Sequence, residues 1–256
     1  MLATQHVNLA VVGFAPPMYL VGTLAKEGKL DFLPSFFVNT LEGFQEPITL
    51  LIFTVIAAAF ALVPDFDEPN STISRKMGFV GRFLSVIFRT VMGGHREYSH
   101  TLLFATVLGI AGFLLQLGDG KLAQISAAVM FVIGISLIAR LILPFGIGSI
   151  FFGIILSAGI GLSIYNVING LFPTFGIGFA IFAGINLHCL GDSLTPSRVK
   201  WLQPLYKKPI GLNINGVTGG AIERFVIGPI LGVASLASLF FCIANPLLIQ
   251  AGINLF

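Results

Sequence analysis

Long apolar runs alternate with two polar stretches along this chain. The runs cover roughly residues 7–24, 48–63, 101–117, 122–143, 145–165, 175–190 and 225–249. Each approaches the ~20 residues that a helix needs to cross a hydrocarbon layer. The strict apolar–polar alternation of a membrane barrel strand is absent. The pattern therefore predicts an all-α, polytopic transmembrane bundle of about seven spans, built as a single integral-membrane domain over residues 1–256.

Local signals refine this outline. Pro16-Pro17 interrupts the first run and predicts a kink or break there, because proline removes an amide donor and clashes with the preceding turn. Residues 26–46 read as a connection, and Pro47 suits the first turn of the second run. Gly118-Asp119-Gly120-Lys121 predicts a tight turn, and Asn169-Gly170-Leu171-Phe172-Pro173 predicts the end of the fifth run. Ser149, Gly153, Ser157 and Gly161 recur every four residues in the fifth run, and Gly176, Ala180 and Gly184 do so in the sixth. Small residues at that spacing let helices approach closely in lipid, so these two helices are expected to pack together.

The first polar stretch, 64–100, contains a segment at 75–92 that reads as an amphipathic helix. Arg75, Arg82 and Arg89 share one face, and Phe79, Val80, Phe83, Leu84, Val86, Ile87 and Val91 cover the rest. Such a helix is expected to lie in the membrane interface.

Composition agrees. The chain is 55% hydrophobic and only 10% charged, with a mean hydropathy of +0.95. Soluble domains carry about 25% charged residues. The N-terminus lacks a basic lead before its apolar run and does not read as a signal peptide. Cys189 and Cys242 sit in apolar runs and are expected to be small buried packers, with no disulfide implied.

Most of the 14 Lys and Arg residues fall in the two polar stretches, 64–100 and 186–224. Basic loops remain cytoplasmic. Four runs separate the two stretches, so both emerge on one side, and two runs place His6 there too. The expected topology has a cytoplasmic N-terminus.

That face then gathers all four histidines of the chain, His6, His95, His100 and His188, with Asp65, Asp67, Asp192 and Glu223. Pro64 and Pro69 disfavour helix, so Asp65 and Asp67 are expected on an extended segment, pointing to one side and able to converge on a cation. His95 and His100 are five apart and cannot share a regular helix face. Gly93-Gly94 puts His95 on a loop, and Ser99 lies near the cap of the following helix. A bend can still bring both rings to one ion. His188 and Asp192 are four apart and face the same way. Ionisable groups in apolar helices are costly and point to function. Arg96 beside His95 can clamp an anion. Glu223 is a base, a ligand or a neighbour of Arg224. Glu68 and Glu97 read as solvated. Arg198, Lys200, Lys207 and Lys208, with Trp201 and Tyr206, read as an interfacial belt.

These residues resemble the YdjM-like bacterial inner-membrane proteins, described as metal-dependent hydrolases. Pro64-Asp65-Phe66-Asp67-Glu68-Pro69-Asn70-Ser71 is similar to that family's Asp-x-Asp-His-Pro-x-Ser segment. His95-Arg96-Glu97-Tyr98-Ser99-His100-Thr101 resembles its His-Arg-Gly-x-Thr-His-Ser. His188 to Pro196 resembles its His-x-x-x-Asp-x-x-Thr-Pro, and Glu223-Arg224-Phe225 its Glu-Arg-Phe. His6 matches an early histidine. Glu68 stands where the family has His, and Glu97 where it has Gly. The resemblance implies a metal site and hydrolysis in the bacterial inner membrane, without naming a substrate.

The expected function is a divalent-metal hydrolase at the cytoplasmic face. His6, Asp67, His95, His100, His188 and Asp192 would hold Zn²⁺ or Mn²⁺, with Asp65, Arg96 and Glu223 as catalytic groups. The expected partners are the lipid bilayer and a phosphoester or lipid-like substrate, with no nucleic acid. One alternative is a non-catalytic membrane protein that docks a cytoplasmic partner. The other is an ion-coupled transporter, which would place its polar groups near the midplane instead.

Overall fold

The computed structural model describes residues 1–117, 120–143, 148–169, 176–214 and 216–253. Parts of the turns predicted at 118–121 and 169–173, and the side chain of Ser149, lie outside them. Eleven α-helices occur among the described residues: α1 (Ala3–Lys26), α2 (Ser35–Glu42), α3 (Pro47–Phe60), α4 (Thr72–Lys76), α5 (Gly78–Val91), α6 (Leu102–Leu117), α7 (Gly120–Ile142), α8 (Gly148–Asn169), α9 (Gly176–Ser193), α10 (Gly228–Leu239) and α11 (Asn245–Gln250). A wider π turn at Phe240–Ala244 joins the last two, and another at Glu223–Ile227 leads into α10, making one helical stretch, Glu223–Gln250. No strand forms among the described residues; Val199 and Ile210 make a single antiparallel bridge.

Each of the seven apolar runs forms helix over its described residues. Four helical stretches are long and apolar enough to cross a membrane: Ala3–Lys26, Pro47–Asp67, Gly120–Ile142 and Glu223–Gln250. α3 is the hub. It is apolar around its whole circumference, which suits a helix surrounded by others, and α1, α7 and α9 all pack on it. Leu50, Ile52, Phe53 and Ile56 are fully buried. Phe44 sits edge-on between Phe14 and Phe53, at 6.0 and 5.8 Å, and ties the 26–46 connection to the core. That connection is itself folded, into α2 and a 3₁₀ turn at Gly43–Gln45.

Three local expectations are corrected. Of the kink or break expected at Pro16-Pro17, the break does not occur: α1 runs through both prolines as one helix. Gly13, four residues before Pro17, carries no side chain, and Leu187 of α9 packs against it, where a Cβ would lie 2.4 Å from Leu187 Cδ2. Second, the helix expected over 75–92 is two helices. Gly78 sits in the left-handed region at φ +67° and separates Arg75 in α4 from Arg82 and Arg89 in α5.

Third, α8 and α9 are not the close pair. α8 packs on α7, whereas α9 packs on α6 and α3. A Cβ at Gly153 or Gly161 would meet nothing within 4 Å, so that face of α8 is open. The α9 face does mediate close approach, but to α3. A Cβ at Gly184 would fall 2.2 Å from the carbonyl oxygen of Ala57, and one at Gly176 2.5 Å from the Phe53 ring. This contact sets the position of His188, one turn beyond Gly184.

Candidate metal centre

Four chain segments converge at one end of α9. The start of α1 supplies His6. The turn Pro64–Asp67, directly after α3, supplies Asp65 and Asp67. The loop before α6 supplies His95, Arg96, Ser99 and His100, and α9 supplies His188 and Asp192. The loop bends through Gly93 (φ +78°), Gly94 (φ +131°) and Arg96 (φ +60°). A non-glycine residue in the left-handed region carries strain, which its surroundings must hold in place.

The acid-bearing segment is a 3₁₀ turn, not the extended segment expected from its prolines. Pro64 takes the first position of the turn, where its missing amide costs nothing. At three residues per turn, Asp65 and Asp67 diverge. Asp67 is fully buried. Its Oδ1 lies 2.5 Å from His95 Nδ1, and its Oδ2 accepts from the Arg96 amide at 2.9 Å and from Ser99 Oγ at 2.5 Å. His100 Nδ1 is 3.2 Å from the same Oδ2. Asp67 therefore braces the whole loop from behind the histidines.

The ring tautomers follow from their neighbours. His188 Nδ1 is 2.7 Å from the carbonyl oxygen of Ala61, which can only accept, so Nδ1 carries the hydrogen. Ser99 gives its hydroxyl proton to Asp67, so its oxygen accepts from His100 Nδ1 at 2.9 Å. When both rings are neutral, as metal binding requires, each presents a bare Nε2 lone pair; without metal a proton on His100 Nε2 can lie between them. Those two atoms face each other at 3.1 Å.

Acceptors gather around that point. Asp192 Oδ2 is 3.6 Å from His100 Nε2 and 3.7 Å from His188 Nε2. Asp65 Oδ1 is 3.9 Å from His188 Nε2. His6 stacks on His188 with centroids 3.8 Å apart, and its Nε2 reaches Asp192 Oδ1 at 3.3 Å. Both His6 ring nitrogens are buried without a hydrogen-bond partner. Among the described residues, two sets of ligand atoms lie within 4.8 Å of one another: His6, His188 and Asp192, and Asp65, His100 and His188.

This donor set fits a divalent cation. With Zn–N of about 2.0–2.1 Å and tetrahedral angles, two imidazole nitrogens on one ion lie roughly 3.3 Å apart, close to the spacing seen. Both sets share His188, whose other nitrogen is committed to Ala61, so they describe one ion position or two competing ones. Asp192 also has cationic neighbours: the Met1 amino group is 2.6 Å from Oδ1, and Arg96 Nη2 is 2.7 Å from Oδ2. The Arg96 contact lacks hydrogen-bond alignment, since Oδ2 counts as unpartnered. Arg96 Nη1 is 3.4 Å from Thr195 Oγ1, and its Nε is buried without a partner.

His95 lies at the edge of the cluster. Its ring is 36% exposed, 5.9 Å from His100 and roughly perpendicular to it. It belongs to neither ligand set. Glu223 is fully buried but lies away from them, accepting from the Leu2 and Gly219 amides at 2.6 Å each, while Gln5 donates to its carbonyl at 3.0 Å. It thus holds the start of α1, and His6 with it.

Several partners were not visible in the sequence. Thr101, not Ser99, caps α6: its Oγ1 accepts from the Phe104 amide at 3.0 Å. Glu97 and Glu68 are not simply solvated; they pair with Lys200 and Arg89. Trp201 leaves the expected belt to donate to Ser193 Oγ at 2.6 Å, and its carbonyl accepts from the Leu102 amide at 2.9 Å. These contacts clamp the two polar stretches to each other. Cys189 and Cys242 are buried free thiols, as expected.

Two groups in the connecting loop have displaced pKa values. Burial favours the neutral His100 ring, but the carboxylates of Asp192 and Asp67 outweigh it and push the ring up to about 9. The Lys200 hydrogen bond holds Glu97 below its ordinary value.

The family model described as YdjM inner membrane protein matches residues 32–252. No curated protein and no solved structure matches the chain.

Proposed function

We propose that this chain, which belongs to the YdjM inner membrane protein family, is a divalent-metal-dependent phosphoester hydrolase. Membership and the four long apolar helices put it in a membrane. The observation that carries the activity is the close approach of the Nε2 atoms of His100 and His188, 3.1 Å apart and flanked by two carboxylates. Two acceptors at that distance repel unless a proton or a cation lies between them.

In this reading His100, His188, Asp192 and Asp65 hold the ion, with His6 as a further ligand. A bound Zn²⁺ or Mn²⁺ would polarise a phosphoryl oxygen and acidify water. Asp67 is assigned an orienting role, because both its oxygens are committed to the loop and the histidines. A carboxylate behind a ligating imidazole fixes its tautomer and raises its basicity. His95 is assigned to proton transfer. Its Nδ1 is held by Asp67, which leaves Nε2 free at the exposed edge, the arrangement that a general acid or base requires. Arg96 would bind the anionic oxygens of the substrate. Glu223 is assigned to anchoring α1.

The same reading has seven spans, with the site at the cytoplasmic face. It is supported by the contact between the two basic polar stretches, which four helices separate in sequence. α5 would lie in the interface: Phe79, Phe83 and Val91 are 82, 56 and 70% exposed, which suits lipid better than water.

The test is turnover of p-nitrophenyl phosphate and bis(p-nitrophenyl) phosphate by the detergent-purified chain, stripped with chelator and reloaded with Mn²⁺ or Zn²⁺. Activity that returns with metal and is absent from His188→Ala supports the reading. Bound metal with no turnover of any phosphoester would leave a metal-binding membrane protein instead.

A further inference from the structure

Arg96 stands in the loop before α6, at φ +60°. Its backbone is fixed, because the amide donates to Asp67 Oδ2 at 2.9 Å. Its side chain is held less firmly. A guanidinium is a planar fork of N–H donors with no acceptor. Here Nε is buried without a partner, and Nη1 reaches Thr195 Oγ1 only at 3.4 Å. Nη2 lies 2.7 Å from Asp192 Oδ2 without hydrogen-bond alignment. Buried donors are ordinarily paired, so this fork is anchored by charge and left short of acceptors.

The oxygen it touches is the one turned toward the imidazoles. Asp192 Oδ2 is 3.6 Å from His100 Nε2 and 3.7 Å from His188 Nε2. The other oxygen, Oδ1, faces the Met1 amino group at 2.6 Å and His6 Nε2 at 3.3 Å. The lone pairs of Oδ2 allow an ion and a guanidinium to share it, but two cations on one oxygen repel and weaken each other's hold. Thr195 links the partners: its hydroxyl accepts from Arg96 and donates to the carbonyl oxygen of Asp192 at 2.7 Å. The Arg96 side chain keeps 17% of its surface in solvent, where an arriving anion meets it.

We infer that Arg96 is a counter-ion shared between Asp192 and the phosphate of the substrate. It neutralises Asp192 at the expense of metal affinity, and it turns its unfilled donors to phosphate oxygens when that anion arrives. The two bindings are thereby coupled: phosphate draws the guanidinium off Oδ2 and leaves Asp192 a stronger ligand. An arginine suits this exchange because its fork matches carboxylate and phosphate alike. The inference rests on the hydrolase reading and adds to it a control of the same site, in which the anion tightens the metal.

The experiment measures two affinities of the full chain in detergent. Mn²⁺ is followed by the electron paramagnetic resonance of the free ion, and inorganic phosphate by the ³¹P relaxation that bound Mn²⁺ induces. Arg96→Gln removes the charge, keeps the amide bond to Asp67, and as another non-glycine residue meets the same backbone demand at φ +60°. It should bind Mn²⁺ about tenfold more tightly than wild type, within the roughly 5- to 150-fold range of coupled sites. It should bind phosphate about 10- to 100-fold more weakly, through loss of charge-assisted hydrogen bonds. Arg96→Lys keeps the charge without the fork. Its Mn²⁺ affinity should return toward wild type, and its phosphate affinity should recover only in part. A merely structural arginine would weaken both bindings when replaced. That result overturns the inference, as does an unchanged affinity for either probe in Arg96→Gln. If wild type binds no Mn²⁺, the hydrolase reading falls and takes the inference with it. Mn²⁺ binding with phosphoester turnover but no opposite shifts removes the inference alone. Opposite shifts without turnover of any phosphoester keep the shared counter-ion and remove the hydrolase reading.

Discussion

His100 and His188 present their Nε2 atoms to each other at 3.1 Å, one from a loop and one from a helix 88 residues later. Neither can move without disturbing a second partner, since Ser99 and Asp67 hold the first ring and Ala61 the second. Such mutual bracing is what a preorganised ligand pair requires.

Loss of either ring should abolish metal retention. His100→Ala and His188→Ala are expected to hold no divalent ion after gel filtration, while His95→Ala keeps it. Mass-spectrometric metal content of the three variants decides this. Equal loss in all three would place His95 among the ligands and remove its proposed role in proton transfer.

Asp67 should matter twice. Asp67→Asn keeps the shape but weakens acceptance from the Arg96 amide, Ser99 and His95. Metal affinity is expected to fall about 10- to 100-fold, as for other partners behind a ligating histidine. Stability should drop by about 1–3 kcal/mol, the usual cost of a buried polar group left unsatisfied. Metal titration and thermal unfolding in detergent measure the two separately.

The pH dependence has a definite sign. His100 is raised from 6.5 to about 9, so the folded state binds its proton more tightly than the unfolded one. The resulting stabilisation is full below 6.5 and disappears as the pH rises through about 9. Metal-free protein should therefore lose stability across that window, and His100→Gln should show a flatter profile. Metal binding runs the other way, because the ligand must shed that proton. Affinity should strengthen by up to about tenfold per unit as the pH approaches 9. A metal affinity that is flat from pH 6.5 to 9 would contradict the assignment.

Packing around α9 should control the centre at a distance. Gly184→Ala pushes a methyl group into the Ala57 carbonyl, at 2.2 Å, and overpacking of this kind costs roughly 1–3 kcal/mol. Because His188 lies one turn further on, metal retention should fall as well. Gly161→Ala, with nothing within 4 Å of the new Cβ, should change neither. Thermal unfolding and metal content of the two variants test the contrast.

The helices themselves were legible in the chain. Runs of apolar residues can satisfy their backbone groups in lipid only by coiling, so seven helices follow from composition and length. The pairing of His188 with Asp192 also follows, since spacing on one helix fixes which side chains share a face. What happens between segments does not follow from spacing. Asp65 and Asp67 look alike in the sequence, and only the 3₁₀ turn sends them to different tasks. His95 and His100 look equivalent too, until Asp67 holds one ring at the edge and the other beneath it. The partner of the small-residue face of α9 was likewise decided by the fold. A glycine stripe shows that a helix can be approached closely, whereas the identity of the neighbour depends on how α3, α6 and α9 share one core. Local chemistry determined which residues could bind an ion; long-range packing decided which of them meet.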